Sequence, residues 1–259
     1  MNHNISDSYR RFAKFYDALV LRRGHFEKQA ATVRRLIGVE RKATIRVLDA
    51  ACGTGKVLSL LAQDSRIRPS GADGSAEMLG TALGDKNNEG IPFTCCRWEN
   101  LPLVFRTQGT FDCIFFLGNA IAHCETKDQI AEIIDFAFGG LNPGGIVLFD
   151  FRTWIPAETG GQLVAAGRPD GHERDWGEFH IDNEVFHFSD VCSYGNGLQR
   201  TTFIAKGASE STEQFVFSYL PFVEEDALSW LRNAGFRDCK IMDLTPDYPY
   251  LIAYGIKKP

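Results

Sequence analysis

With 259 residues, 44% of them hydrophobic and 24% charged, the chain has an ordinary globular composition and the length for one large α/β domain, or a smaller one carrying an insertion. A net charge of −5 with no long basic run lacks the electrostatic footprint of non-specific nucleic-acid or anionic-membrane binding. No run of about 18 apolar residues occurs, and the polar start MNHNISDSYRR lacks a signal peptide's apolar centre, so no membrane association and a cytoplasmic address are expected.

Residues 7 to 38 read as helical, with Phe26, Ala30, Val33 and Ile37 recurring at helical spacing and Gly38 able to end the run. TIRVLDAAC is a β-rich run, KVLSLLAQ returns to helical spacing, and RPSGAD is a second strand ending at Asp73. SAEMLGTAL is a helix with Ser75 as its expected cap. PFTCCRW reads as a strand and FDCIFFLG as a fully buried one. DQIAEIIDFAFGGL is then a helix, NPGG a turn and IVLFDFR a further buried strand. Strands and helices alternating over short connections predict a parallel sheet covered on both faces.

After Arg152 the pattern changes. Residues 155 to 175, rich in glycine and polar groups, are expected to form a mobile loop. EFHI, VFHFSDV, QRTTFIA and EQFVFSY read as strands, with a hairpin signal at Gly195-Asn196-Gly197, so an antiparallel insertion is predicted. A helix from about Glu224 to Ala234, closed by Gly235, and the strands CKIMDL and YLIAYGIK complete the chain. The seven cysteines are odd in number and several (Cys52, Cys95, Cys96, Cys113) lie in apolar strand-like runs, so they are read as buried thiols. No Cys-x-x-Cys or His-x-x-x-His spacing occurs, so no metal site is expected.

The chemistry concentrates in VLDAACGTGK, residues 47–56, where an apolar strand ends in Asp49 and breaks into Gly53 and Gly55. A phosphate loop would need a glycine where Ala50 stands and a hydroxyl where Val57 stands. A dinucleotide loop would need a small third residue where Leu58 stands. What remains is D-x-A-x-G-x-G at one strand end with an acid, Asp73, at the next. Glycines permit close approach of backbone to ligand, and Asp73 can accept from two ribose hydroxyls.

This pattern resembles motif I of the class I S-adenosylmethionine-dependent methyltransferases. ADGSAEML, CRWENL, FLGNAIAH and GGIVLFDFR look similar to successive motifs of the glycine N-methyltransferase and glycine/sarcosine methyltransferase group, over about residues 9 to 155. The resemblance implies a Rossmann-like, doubly wound, seven-stranded and mostly parallel sheet, with an antiparallel β insertion roofing the active site. It divides the chain into an N-terminal helical cap (1–38), a cofactor-binding core (39–154 and 223–259) and a substrate-covering insertion (155–222).

For the cofactor, S-adenosylmethionine, the resemblance implies that Tyr16 and Arg23 close over it, with Arg23 on its carboxylate. Asp49, Ala51, Gly53 and Gly55 would form the turn beneath it. Asp73 and Gly74 would serve the ribose, Met78, Arg97 and Trp98 the adenine, and Leu117 and His123 the methionine end. The family often has Asp or Asn where Arg97 stands. For the methyl acceptor it implies Asn119 and Arg152 on a carboxylate and Tyr219 facing the reacting amine, although RTWI replaces the family's RNYD. Plainer readings stay open: His123 as a capping histidine, Tyr219 as a core tyrosine, Arg152 as a strand-end charge. The expected activity is in-line methyl transfer to a small carboxylate-bearing amine, with an amino sugar or natural-product intermediate as the alternative acceptor. A homo-oligomer is compatible with all of this.

Overall fold

A computed structural model describes residues 5–21, 24–38, 44–158, 162–208, 211–244 and 248–259. The first helical stretch is two helices, α1 (Ile5–Leu21) and α2 (His25–Ile37), rather than one run through residue 38. Gly24 adopts φ +60°, a left-handed conformation that breaks the helix and that only glycine takes without cost. The periodic apolar positions continue across the break, which is why spacing alone conceals it.

Seven strands form the central sheet: β1 (Ile45–Asp49), β2 (Ile67–Asp73), β3 (Phe93–Cys95), β4 (Phe111–Phe116), β5 (Leu141–Phe151), β12 (Arg237–Asp243) and β13 (Leu251–Ile256). Their spatial order is β3-β2-β1-β4-β5-β13-β12. β1 to β5 run parallel and β13 runs antiparallel to both its neighbours. The order reverses between β1 and β4, the switch point beyond which open α/β sheets bind their ligands. Val47, Leu48, Ile114, Phe115, Val147 and Leu148 are fully buried, as continuous apolar strands covered on both faces must be.

The crossovers are α3 (Lys56–Ala62), α4 (Ala76–Gly84), α5 (Leu101–Gln108), α6 (Lys127–Gly140) and α7 (Glu224–Asn233). Ser75 caps α4 by accepting from the Met78 N–H at 3.3 Å, and Thr126 with Gln129 forms a reciprocal capping box on α6. Helix α5 is not expected from the sequence, although Pro102 sits in its first turn, where a missing N–H costs nothing.

Between β5 and α7 the chain builds two further sheets. β6 (Trp154–Pro156) and β7 (Leu163–Ala165) form a hairpin where the sequence predicts a mobile loop. The other sheet, β8 (Glu173–Ile181), β9 (Glu184–Gly195), β10 (Leu198–Gly207) and β11 (Thr212–Tyr219), is four-stranded and antiparallel. Asn196 and Gly197 make the two-residue turn between β9 and β10, as the Gly-Asn-Gly signal predicts. Its inner face carries Phe186, Phe188, Phe203, Phe215 and Phe217, which enclose Phe12 and Phe15 of α1 at centroid distances from 5.1 to 5.5 Å for the nearest pairs. This sheet is a roof, held to the core by α1. Among the described residues no helix is long and apolar enough to cross a membrane. None of the seven cysteines is in a disulfide; Cys52 and Cys113 are buried as expected, but Cys95, at the end of the short edge strand β3, is exposed and Cys96, just after it, half-buried.

Candidate active site

Three carboxylates stand at the carboxyl ends of β1, β2 and β5: Asp49, Asp73 and Asp150. Asp49 accepts the Ala51 N–H at 3.1 Å. Asp73 accepts from Gly53 N–H through one oxygen and from Ser75 N–H through the other, both at 2.8 Å. Asp73 thereby sets the shape of the glycine turn and keeps lone pairs for a ligand, since a carboxylate offers about four acceptor positions. Gly53 and Gly55 have φ +51° and +76°. A Cβ on Gly55 would lie 2.7 Å from Asn88 Nδ2 and 3.0 Å from Phe93, so a larger residue is excluded there by backbone and by space together.

Burial raises Asp49 well above the ordinary carboxylate range, with Asp73 and Asp150 adding repulsion, and it raises Asp73 as well. Burial pushes Asp150 up to about 6, against hydrogen bonds that favour its charge. Among the described residues no lysine or arginine is ion-paired with any of the three. An uncompensated acidic floor is stabilised by a cation. S-adenosylmethionine, with its ammonium and sulfonium, fits that floor, and Asp73 keeps acceptor positions beyond the two N–H groups it holds.

The expected acceptor residues do come together at the ends of β4 and β5. Asn119 is fully buried with φ +60°, held there because its own N–H and that of Gly118 donate to Asp150 at 2.5 and 3.0 Å. Its Oδ1 accepts the Arg152 N–H at 3.2 Å, while its Nδ2 is buried with no partner among the described residues. The Arg152 guanidinium lies 4.4 Å from the centroid of the Tyr219 ring and donates to Gln199 Oε1 at 2.7 Å. Burial raises Tyr219, so its hydroxyl stays protonated. Asp150, Tyr248, Gln29 and Gln199 were missed by sequence reasoning. Tyr248 donates to Asp150, and Gln29 donates to Tyr248 at 2.7 Å. The available signal was an acid inside the otherwise apolar run IVLFDF.

Tyr16, on α1, lies over the turn: its ring is 3.8 Å from where a Gly53 Cβ would sit and its hydroxyl 3.5 Å from the corresponding point at Gly118. Thr54 donates to Asp17 of the same helix at 2.6 Å. Arg23 lies outside the described residues. Met78 and Leu117 are buried, Gly74 is exposed, and Arg97 is exposed with its stem 3.7 Å from where a Gly74 Cβ would sit. Trp98 turns inward and donates its indole N–H to Ala50 O at 2.8 Å, so it braces the glycine turn as well as walling it. His123 has both ring nitrogens engaged, Nδ1 with Ser218 O and Nε2 with the Tyr9 hydroxyl, each at 2.9 Å. Only its ring surface is left for a ligand, and it joins α1 to the roof. Burial lowers it to about 4, so it is neutral near pH 7. Two open surface clefts among the described residues, of about 430 and 320 Å³, are lined by no residue of the glycine turn.

Comparison with known proteins agrees with this geometry. Residues 47–145 match a family described as a methyltransferase domain. The chain is 31% identical over 121 residues to a glycine/sarcosine N-methyltransferase of Halorhodospira halochloris, a match covering 45% of this chain and 43% of that protein's length. It is 27% identical over 194 residues to the putative methyltransferase YqeM of Bacillus subtilis, covering 74% and 73% of the two chains. Among solved structures it is similar to the sugar N-methyltransferase KedS8 of Streptoalloteichus, with TM-score 0.71, 22% identity and 94% and 93% of the chains covered. It is likewise similar to the amino pentose methyltransferase CalS10 of Micromonospora echinaspora, with TM-score 0.71, 18% identity and 90% and 92% covered. Family match, strand order and the acid–glycine–acid floor lead to one conclusion: over residues 47–145 the chain matches a methyltransferase domain, and its fold is that of S-adenosylmethionine-dependent methyltransferases.

Proposed function

We propose that this methyltransferase domain N-methylates a small amine that carries a carboxylate. The observation that supports it is the Arg152 guanidinium, held at its backbone by Asn119 and flanked by Tyr219 beneath the roof, beside an acidic floor. Floor and roof differ in charge, so a cationic cofactor and an anionic acceptor are sorted to opposite sides. When bound, S-adenosylmethionine supplies a methyl group already activated on sulfur, so the protein's part is alignment and exclusion of water.

Arg152 presents a planar fork that matches a carboxylate bidentately. The unpartnered Asn119 Nδ2 is a second donor for the same anion. Protonated Tyr219 can accept a hydrogen bond from the amine and orient its lone pair without serving as a dedicated base. The aromatic roof and α1 keep water from the reacting centre. A second reading, methylation of an amino sugar, is supported by the likeness of nearly the whole chain to a sugar N-methyltransferase and an amino pentose methyltransferase. A screen of amino acids, small amines and amino sugars with labelled cofactor, read by mass spectrometry, distinguishes the two. Label appearing only on acceptors without a carboxylate would overturn the first reading.

A further inference from the structure

The roof contains a second buried arginine that the proposed reaction leaves without a task. Arg168 follows β7 and is 8% exposed. Its Nη2 donates to Asp190, but its Nε and Nη1 are buried with no hydrogen-bond partner among the described residues. Leaving a buried charged donor unpaired costs on the order of 1–3 kcal/mol or more, so these N–H groups are accounted for by an acceptor that arrives with a ligand.

Arg168 and Arg152 are joined by one short piece of structure. Arg152 directly follows β5; the hairpin begins two residues later, pairs Trp154 with Ala165, and returns with the Ala166 N–H on Thr153 O at 2.9 Å. A polar relay also connects them. Gln199 accepts from Arg152 at 2.7 Å and donates to the Tyr194 hydroxyl at 2.9 Å, and that hydroxyl donates to Arg168 O at 2.7 Å. Asp190, fully buried, fixes the fork by also accepting from Arg174 at 2.7 Å and from the Trp176 indole at 2.5 Å. Arg168 and Arg174 both donate to Asp190, and its charge also acts on the Arg152 guanidinium. The relay meets Arg152 at its guanidinium and Arg168 at its backbone carbonyl, so it leaves the Arg168 fork itself uncommitted.

Resting on the proposed function, we infer that Arg168 reads a second negative group, so that the acceptor is an amine bearing two anions, one for each arginine. The second anion is a carboxylate or a phosphate; the shared chemistry is an oxyanion that accepts from a guanidinium fork.

The test compares glycine, aspartate and O-phosphoserine in two ways: methylation kinetics, and calorimetric binding to the full chain loaded with S-adenosylhomocysteine. At least one dianion is expected to bind and turn over tenfold or more better than glycine, and which of them does so identifies the second anion. Arg168→Gln should cut that preference at least tenfold. Asp190→Asn, which leaves Arg168 in place and removes its counter-charge, should keep or increase it. If Arg168→Gln does not fold, wild-type calorimetry and Asp190→Asn still decide. Equal or better binding of glycine overturns the inference and leaves the N-methylation reading intact, as does an equal loss of preference in both variants, which marks the pair as structural. Preferential dianion binding with no methylation of any of the three supports Arg168 as an anion reader and counts against the proposed reaction.

Discussion

Two titratable groups of the site have opposite effects on stability in acid. His123, with both nitrogens engaged, is lowered from 6.5 to about 4, and Asp150 is raised from 3.8 to about 6, both by burial. As pH falls from 6.5 toward 4, the unfolded chain takes up a proton at residue 123 that the folded chain refuses, so stability is lost. Over nearly the same window the folded chain binds a proton at Asp150 before the unfolded chain does, so stability is gained. At 1.36 kcal/mol per pKa unit the Asp150 effect is about 3 kcal/mol, and the His123 effect, with its ring only partly covered, about 2 kcal/mol. The two nearly cancel in the wild type. His123→Gln keeps a donor for Ser218 O and an acceptor for Tyr9. Relative to wild type it should gain about 2 kcal/mol between about pH 7 and about pH 4, while Asp150→Asn should lose about 3 kcal/mol over that range. Urea unfolding at a series of pH values measures both. Difference profiles that stay flat with pH, or that move in the same direction, would refute the reasoning.

Asp73→Ala removes the proposed ribose acceptor and releases the Gly53 and Ser75 N–H groups, and should weaken S-adenosylhomocysteine binding by about 2–4 kcal/mol; calorimetry showing unchanged affinity would exclude Asp73 from the cofactor site. Arg152→Lys keeps the charge and loses the fork, so kcat/KM for a carboxylate-bearing acceptor should fall by about 2–4 kcal/mol with cofactor affinity unaltered. Equal discrimination between acceptor and its amide in both proteins would remove Arg152 from carboxylate recognition. Gly55→Ala combines a left-handed backbone with a Cβ 2.7 Å from Asn88, and should cost about 2–4 kcal/mol in urea unfolding.

Much of the fold is legible because its signals are local. IRVLD, FDCIFF and IVLFDF are apolar runs too short for helices, and each leads into or out of a helical repeat. The Ser75 cap and the Gly195-Asn196-Gly197 turn are stated by neighbouring residues. The break at Gly24 is concealed because the apolar spacing resumes in phase, and α5 because LPLVFRTQ is short and begins with a proline in its first turn. The hairpin within residues 155–175 is concealed because glycine-rich sequence marks turns and loops alike. What composition and spacing could not supply are pairings between distant parts of the chain. Tyr9 meets His123, Gln29 meets Tyr248, and Ser8 donates to Val216 O, from residues 114, 219 and 208 positions apart. A tyrosine at position 9 reads as one more helical aromatic until β11 is seen beside it.

The way α1 is enclosed also bears on how acceptor preference can be transplanted. Phe12 and Phe15 belong to the same apolar cluster as the inner face of the roof and the side of the sheet covered by α6 and α7. His123, in the turn after β4, is bonded to the roof as well. If the proposed acceptor site is right, acceptor choice depends on three separate stretches of chain that pack together: α1, the β4–α6 turn and residues 153–222. A graft that moved only the last of these onto a related methyltransferase would bring Phe186, Phe188 and Phe215 against side chains they were not shaped to cover. Such a chimera should bind cofactor yet methylate poorly until α1 and the turn are moved with it. Recombination between relatives would meet the same constraint, so new acceptors are reached more readily by point changes inside the roof than by exchanging it whole.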